Sequence, residues 1–242
     1  LTKNKGTEII LSNANSTKSE TIDGKKKSIS INDGTNKETR EKLHENKKVK
    51  VYDRMLGSHI GHNKFVIYED NNGTPKSVLT GSTNWTPTGL CGQTNNMIII
   101  DSEQIAADYK DYWEQMKLEY DENEMQGADF RAWCASNSTT NKINKNSNLT
   151  LWFSPNTVQK SKPKNATTPI DMQAVFDLIE NAKDSVLYLV FNPGSPSIID
   201  KIKEVAAKRP QGNPLFVRGA VSDAKIASSV TKNIVSNDIL EK

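Results

Sequence analysis

Apolar and polar positions change their spacing several times along the chain, and each change marks an element. Short apolar runs at Thr7–Leu11, Lys48–Tyr52, Lys64–Tyr68, Ser77–Thr80 and Met97–Ile100 predict β-strands. The segment Asn71-Asn72-Gly73-Thr74-Pro75 predicts a hairpin turn between the third and fourth of these. Thr17–Thr35 reads as a polar loop, and Lys37–Glu45 as a short charged helix. After Ser102, a plausible N-cap, the period becomes helical: Ile105, Tyr109, Tyr112, Trp113 and Met116 form one apolar face. This aromatic stripe reads as core packing. Residues 134–150 are rich in Ser, Thr, Asn and Lys and are expected to be a linker. Beyond it, Leu151-Trp152-Phe153-Ser154-Pro155 predicts a strand running into a polar loop that ends near Thr168. A helix then opens with Thr168 as N-cap and Pro169 in its first turn, its apolar face being Met172, Val175, Phe176, Ile179 and Ala182. Val186–Phe191 lacks alternation and reads as a strand covered on both faces. A turn at Asn192-Pro193-Gly194, a helix over Ile198–Ala207 and a strand over Pro214–Arg218 complete a strand–helix–strand succession, the pattern of parallel crossovers.

Composition narrows this α/β picture only a little. A length of 242 residues suits one large or two smaller domains, and 35% hydrophobic residues imply long polar loops. The net charge of +3 is compatible with an anionic substrate without selecting one. No apolar run reaches the length of a membrane span. Cys91 and Cys134 imply neither a disulfide framework nor a metal site, and the compartment stays open.

The chemistry concentrates in His62-Asn63-Lys64 and, about twenty residues on, in Gly81-Ser82-Thr83-Asn84. On an extended segment alternate residues share a face, so His62 and Lys64 point one way, and Phe65 and Ile67 the other. Cleaving a phosphodiester needs a nucleophile or proton carrier, a cation for the non-bridging oxygens and neutral donors to hold the phosphate. His62, Lys64, Ser82 and Asn84 supply those parts. His44, in a charged helical stretch, and His59, in a loop, read as ordinary surface or core residues.

At these residues the chain resembles the phospholipase D superfamily, whose signature is His-x-Lys-x4-Asp followed by Gly-Ser-x-Asn. Glu69 stands where the signature has Asp, with Asp70 directly after it, and either carboxylate could serve. The continuation Trp85-Thr86, Gly89-Leu90 and Asn95-Asn96 resembles bacterial members. The resemblance implies mixed sheets flanked by helices, and two half-sites facing each other across a pseudo-twofold axis. On it, residues 1–133 are expected to be the closing part of one repeat, 134–150 a linker and 151–242 the opening part of a second. The strand near Leu215 would correspond in position to that at Ile9. The second His-x-Lys is then expected about 25–30 residues beyond Lys242, at a repeat period of roughly 200 residues, so the chain reads as a fragment with one half-site.

The mechanism implied by the resemblance has His62 attack phosphorus to form a phosphohistidine. Lys64 and Asn84 hold the non-bridging oxygens, Ser82 hydrogen-bonds within the site, and Glu69 or Asp70 orients an imidazole. No cofactor or metal is expected. The implied partners are a phosphodiester substrate, a peripheral membrane contact if that substrate is a phospholipid, and the second half-site. Phospholipid head-group hydrolysis or transfer leads, with a nuclease of the same superfamily or a non-catalytic degenerate member as alternatives.

Overall fold

In the computed structural model, the turn at Asn71–Pro75 closes a hairpin between β5 (Phe65–Glu69) and β6 (Pro75–Gly81), as the sequence predicts. The structure describes residues 6–13, 16–31, 33–34, 36–56, 61–121, 127–144, 147–157, 168–191, 193, 197–210 and 212–221. His59 and Lys160, Lys162 and Lys164, whose loops the sequence marks as polar, lie outside the described residues. The chain is mixed α/β, several small sheets with helices, the class anticipated from the sequence.

Two compact units divide at Lys162 and Pro163. In the first, β1 (Thr7–Ser12) pairs in parallel with β4 (Val49–Arg54), and α1 (Lys37–Glu45) lies between them in sequence. The supposed loop at 17–35 is instead an antiparallel hairpin of β2 (Ser16–Ile22) and β3 (Lys25–Ile31). Its turn residues Asp23 (φ +54°) and Gly24 (φ +72°) are both left-handed, the conformation a two-residue hairpin turn demands. Asp-Gly carried that signal, and the surrounding polarity masked it.

The site-bearing sheet is β5, β6 and β7 (Met97–Asp101), antiparallel throughout. A short α2 (Pro87–Cys91) joins the last two strands, and α3 (Glu103–Asp121) packs across the sheet. Ser102 caps α3 as expected, its Oγ accepting the Ile105 N–H at 3.3 Å. Val78 in mid-sheet and Ile105, Tyr112 and Met116 on α3 are buried in one cluster, against which Phe65, Ile67 and Ile100 pack. Burying each such large apolar side chain contributes about 1.5–3 kcal/mol. The opposite face of the sheet carries Val66, Tyr68 and Ile99, all exposed.

The polar stretch at 134–150 is not a simple linker. It completes α4 (Ala128–Ser136) and forms a hairpin of β8 (Ser138–Asn144) and β9 (Ser147–Trp152). Leu149 and Leu151 alternate inward to the core while Thr140 and Thr150 share a hydroxyl contact of 3.1 Å outside, so every second residue sufficed to hold the strand. Thr139 ties the hairpin to α3 through Asp108, at 2.8 Å.

In the second unit, β10 (Ser185–Val190) pairs in parallel with β11 (Phe216–Val221) beside α5 (Ile170–Glu180) and α6 (Ile198–Ala207). α5 begins one residue later than expected, with Pro169 rather than Thr168 at the N-cap position. A capping box of Ser197 and Asp200 opens α6. Ile179, Ile202, Val205 and Leu215 are buried against Val186, Tyr188 and Val217. β10 is therefore covered on one face rather than two: Leu187, Leu189 and Phe191 on the other are exposed, because both described helices pack on the same side.

Candidate functional site

Pairing of β5 with β6 brings the two sequence motifs together. Phe65 faces Thr80 in the register, which sets Lys64 beside Gly81 at the strand ends. The Thr80 hydroxyl donates to the Lys64 carbonyl at 3.3 Å and closes this junction. Lys64, Thr80, Gly81, Thr83, Trp85 and Met97 then line a shallow depression. His62 precedes the strand and is exposed. Lys64 Nζ donates to the His62 main-chain oxygen at 2.6 Å, and an ammonium keeps two further donors for a phosphate.

The Gly-Ser-x-Asn segment is shaped by contacts that tolerate no side chain. A Cβ on Gly81, at φ +158°, would lie 2.2 Å from the Asn96 oxygen and 2.8 Å from Met97 Cα. A Cβ on Gly89 would meet the Asn84 oxygen at 2.2 Å, so Asn84 is seated directly against α2. Ser82 spans the loop between β6 and β7: its N–H donates to the Asn96 oxygen at 2.9 Å, and its Oγ accepts the Asn96 N–H at 3.0 Å. Asn95 Nδ2 reaches the Gly89 oxygen at 2.9 Å. Ser82 thus holds the loop rather than standing free for substrate. Replacing Gly81 with Ala should force two backbones apart, at a cost of about 1–3 kcal/mol. A thermal melt of Gly81→Ala checks this, with a melting temperature equal to wild type as the contrary result.

Neither acidic candidate is brought to His62. Glu69 ends β5 on the α3 side and pairs with Lys110 at 3.0 Å. Asp70 holds the hairpin turn, accepting the Asn72 and Thr74 N–H groups at 2.8 and 3.0 Å, with Lys76 3.5 Å away. Those backbone donors, Thr74 first, keep its carboxyl below the usual value. Five residues of extended chain separate Lys64 from Glu69, about 17 Å. Both carboxylates thus make structural contacts at the end of the strand far from His62.

Electrostatics at the near end favour a neutral imidazole. Partial desolvation, and secondly the Lys64 ammonium, hold the His62 pKa below its ordinary value. Desolvation lowers that of Lys64 as well. In the depression beside Lys64 stand two exposed apolar side chains, Trp85 at 58% and Met97 at 44% exposure. Contacts the sequence did not reveal also fix the segment: the Ser12 hydroxyl donates to the Gly61 oxygen at 3.2 Å, and Asn63 Nδ2 donates to Tyr112 Oη at 2.7 Å. Only tertiary contact could reveal these, since Ser12 and Tyr112 each lie 49 residues from their partner.

Both cysteines are free, Cys91 exposed and Cys134 buried. Among the described residues, no cluster of three His, Cys, Asp or Glu side chains could hold a metal ion, and no helix is long and apolar enough to cross a membrane. Residues 3–117, which include the whole of this site, match the family model described as cardiolipin synthase, PLD-like domain. No curated protein matches the chain.

Proposed function

Since this chain belongs to the phospholipase D superfamily through its PLD-like domain, whose members are typically phosphodiesterases, we propose that it cleaves phospholipid head groups through a phosphohistidine on His62. The observation that carries the proposal is the union of His62, Lys64 and the Gly81–Asn84 loop at one end of the β5–β6 hairpin. A neutral imidazole forms the P–N bond as the bond from phosphorus to the leaving alcohol breaks. On this reading a protonated imidazole from a second half-site gives its proton to that alcohol. It then takes a proton from water, whose oxygen displaces His62 and restores the free imidazole. Lys64 and the Asn84 amide hold the non-bridging oxygens, where each such donor is worth about 2.7–4 kcal/mol in the transition state.

The phospholipid preference is supported by the exposed apolar side chains of Trp85 and Met97 beside Lys64, a surface that suits acyl chains better than a polyanion. Rates of the full-length protein on phosphatidylcholine vesicles and on single-stranded DNA test this. Turnover of the vesicles is expected. Preference for DNA would overturn the lipid assignment, and inactivity on both would overturn the phosphodiesterase itself.

Because nucleophilic attack needs the neutral ring and the His62 pKa is lowered, the acid limb of kcat/KM is expected below about 6.5, the ordinary histidine value. Lys64→Met removes one of the two causes and should move that limb upward in pH while lowering the rate. A pH–rate profile of both proteins checks the direction. An acid limb that stays in place or moves down in Lys64→Met contradicts it.

A further inference from the structure

We propose that Tyr112 is a positioning residue for the His62–Lys64 segment, acting through Asn63; only the activity arm of its test rests on the phosphodiesterase assignment. Tyr112 lies on α3 and is 2% exposed. Its ring is stacked on Phe153 at 4.5 Å with 16° between planes, and on Phe130 at 5.8 Å, so the phenol oxygen has a fixed place in the core. That oxygen makes two hydrogen bonds. It donates to the Ser154 carbonyl at 2.5 Å and accepts from Asn63 Nδ2 at 2.7 Å.

The directions of these bonds follow from the groups themselves. A carbonyl cannot donate, so the single phenol proton goes to Ser154, and the phenol oxygen is left as an acceptor. Asn63 must therefore turn its NH₂ side inward. Burial raises the phenol pKa, so the hydroxyl keeps its proton throughout the neutral range.

Asn63 stands between His62 and Lys64, and neighbouring residues of an extended segment point to opposite sides. Pinning Asn63 to α3, on the side that Phe65 and Ile67 also face, fixes the direction in which His62 and Lys64 leave the segment. The Ser12 bond to the Gly61 oxygen and the Thr80 bond to the Lys64 oxygen fix the main chain on either side. The Tyr112 bond sets the rotation of the segment between them. Ser154 follows β9, so the end of that hairpin helps aim a histidine at the other side of the core.

The test uses Tyr112→Phe, which keeps the ring stacks, Asn63→Ala, which leaves the core untouched, and the double variant, all in the full-length protein. Turnover of a chromogenic phosphodiester is measured alongside the imidazole ¹H–¹³C resonances. The His62 resonances are identified by their loss in His62→Asn, and His44, held by Asp53 at 2.8 Å, serves as the internal control. Either single change should lower kcat about tenfold or more with little change in KM, since misaimed groups lose rate before they lose binding. The double variant should fall no further than the worse single one. The His62 resonances should shift or broaden in each variant while those of His44 stay in place. If the wild type shows no turnover but the His62 resonances still respond, the positioning role stands and the phosphodiesterase assignment fails. Unchanged His62 resonances in both single variants overturn the positioning role, whatever the turnover.

Discussion

His62→Asn in the full-length protein is expected to abolish turnover of a chromogenic phosphodiester, with circular dichroism and melting temperature close to wild type. Asparagine has no nitrogen able to form a phosphoramidate or to exchange a proton near neutral pH, so both roles open to an imidazole are lost together. His62 is exposed and precedes β5, and its side chain supports no part of the core, so the loss should be chemical rather than structural. Removing a nucleophile of this kind costs several orders of magnitude; about 10⁶-fold in kcat is known for a serine hydrolase. EDTA should leave the wild type untouched, because a histidine and a lysine supply the charge a divalent cation would otherwise provide. Retained turnover in His62→Asn excludes the nucleophile assignment, and loss of activity with EDTA excludes the metal-free chemistry.

The largest stability effect is expected for Glu119→Ala. Glu119 on α3 and Arg54 on β4 have side chains only 2% and 5% exposed. Glu119 Oε2 accepts from Arg54 Nε and Nη2 at 2.9 and 2.7 Å, and its Oε1 accepts the Gly127 N–H at 3.1 Å. The guanidinium also lies over the Phe130 ring, 5.5 Å from its centre. Deleting Glu119 leaves a guanidinium buried without its counter-ion, at a cost of about 3–5 kcal/mol. The apolar pair Arg54→Met with Glu119→Leu should recover most of that loss, since the penalty belongs to the stranded charge and not to the missing attraction. Urea unfolding midpoints of the single and double variants decide it. A double variant no more stable than Glu119→Ala would contradict this explanation. Arg54 also borders Gly61, one residue before His62, so Glu119→Ala should lower turnover as well.

Local patterns carried much of this fold. Asn71–Pro75 declared its hairpin through turn chemistry, and Ser102 declared α3 through a cap followed by a helical stripe. His62, Lys64 and the Gly81–Asn84 loop were legible because strand pairing across a tight hairpin follows from sequence distance alone. The hairpins at 16–31 and 147–152 with its partner strand were hidden by composition. One inward residue in two holds such strands, and the remaining Ser, Thr, Lys and Asn make them look like loops. Glu69 and Asp70 show a different limit. A carboxylate beside a catalytic-looking motif gives no sign of its partner, and theirs proved to be Lys110 on a later helix and the amides of the adjoining turn. The tie from Asn63 to Tyr112 to Ser154 was equally silent, since each link depends on packing that brings distant segments together.

The most direct test of the half-site is to look for the bond it is expected to make. Full-length protein is mixed with a phosphodiester substrate, quenched in alkali within milliseconds to preserve phosphoramidates, digested and mapped by mass spectrometry. The expected result is a phosphoryl adduct on the peptide containing His62, formed and lost at rates that match turnover and absent from His62→Asn. Steady turnover with no adduct on that peptide, or an adduct on a different residue, would contradict His62 as the attacking group.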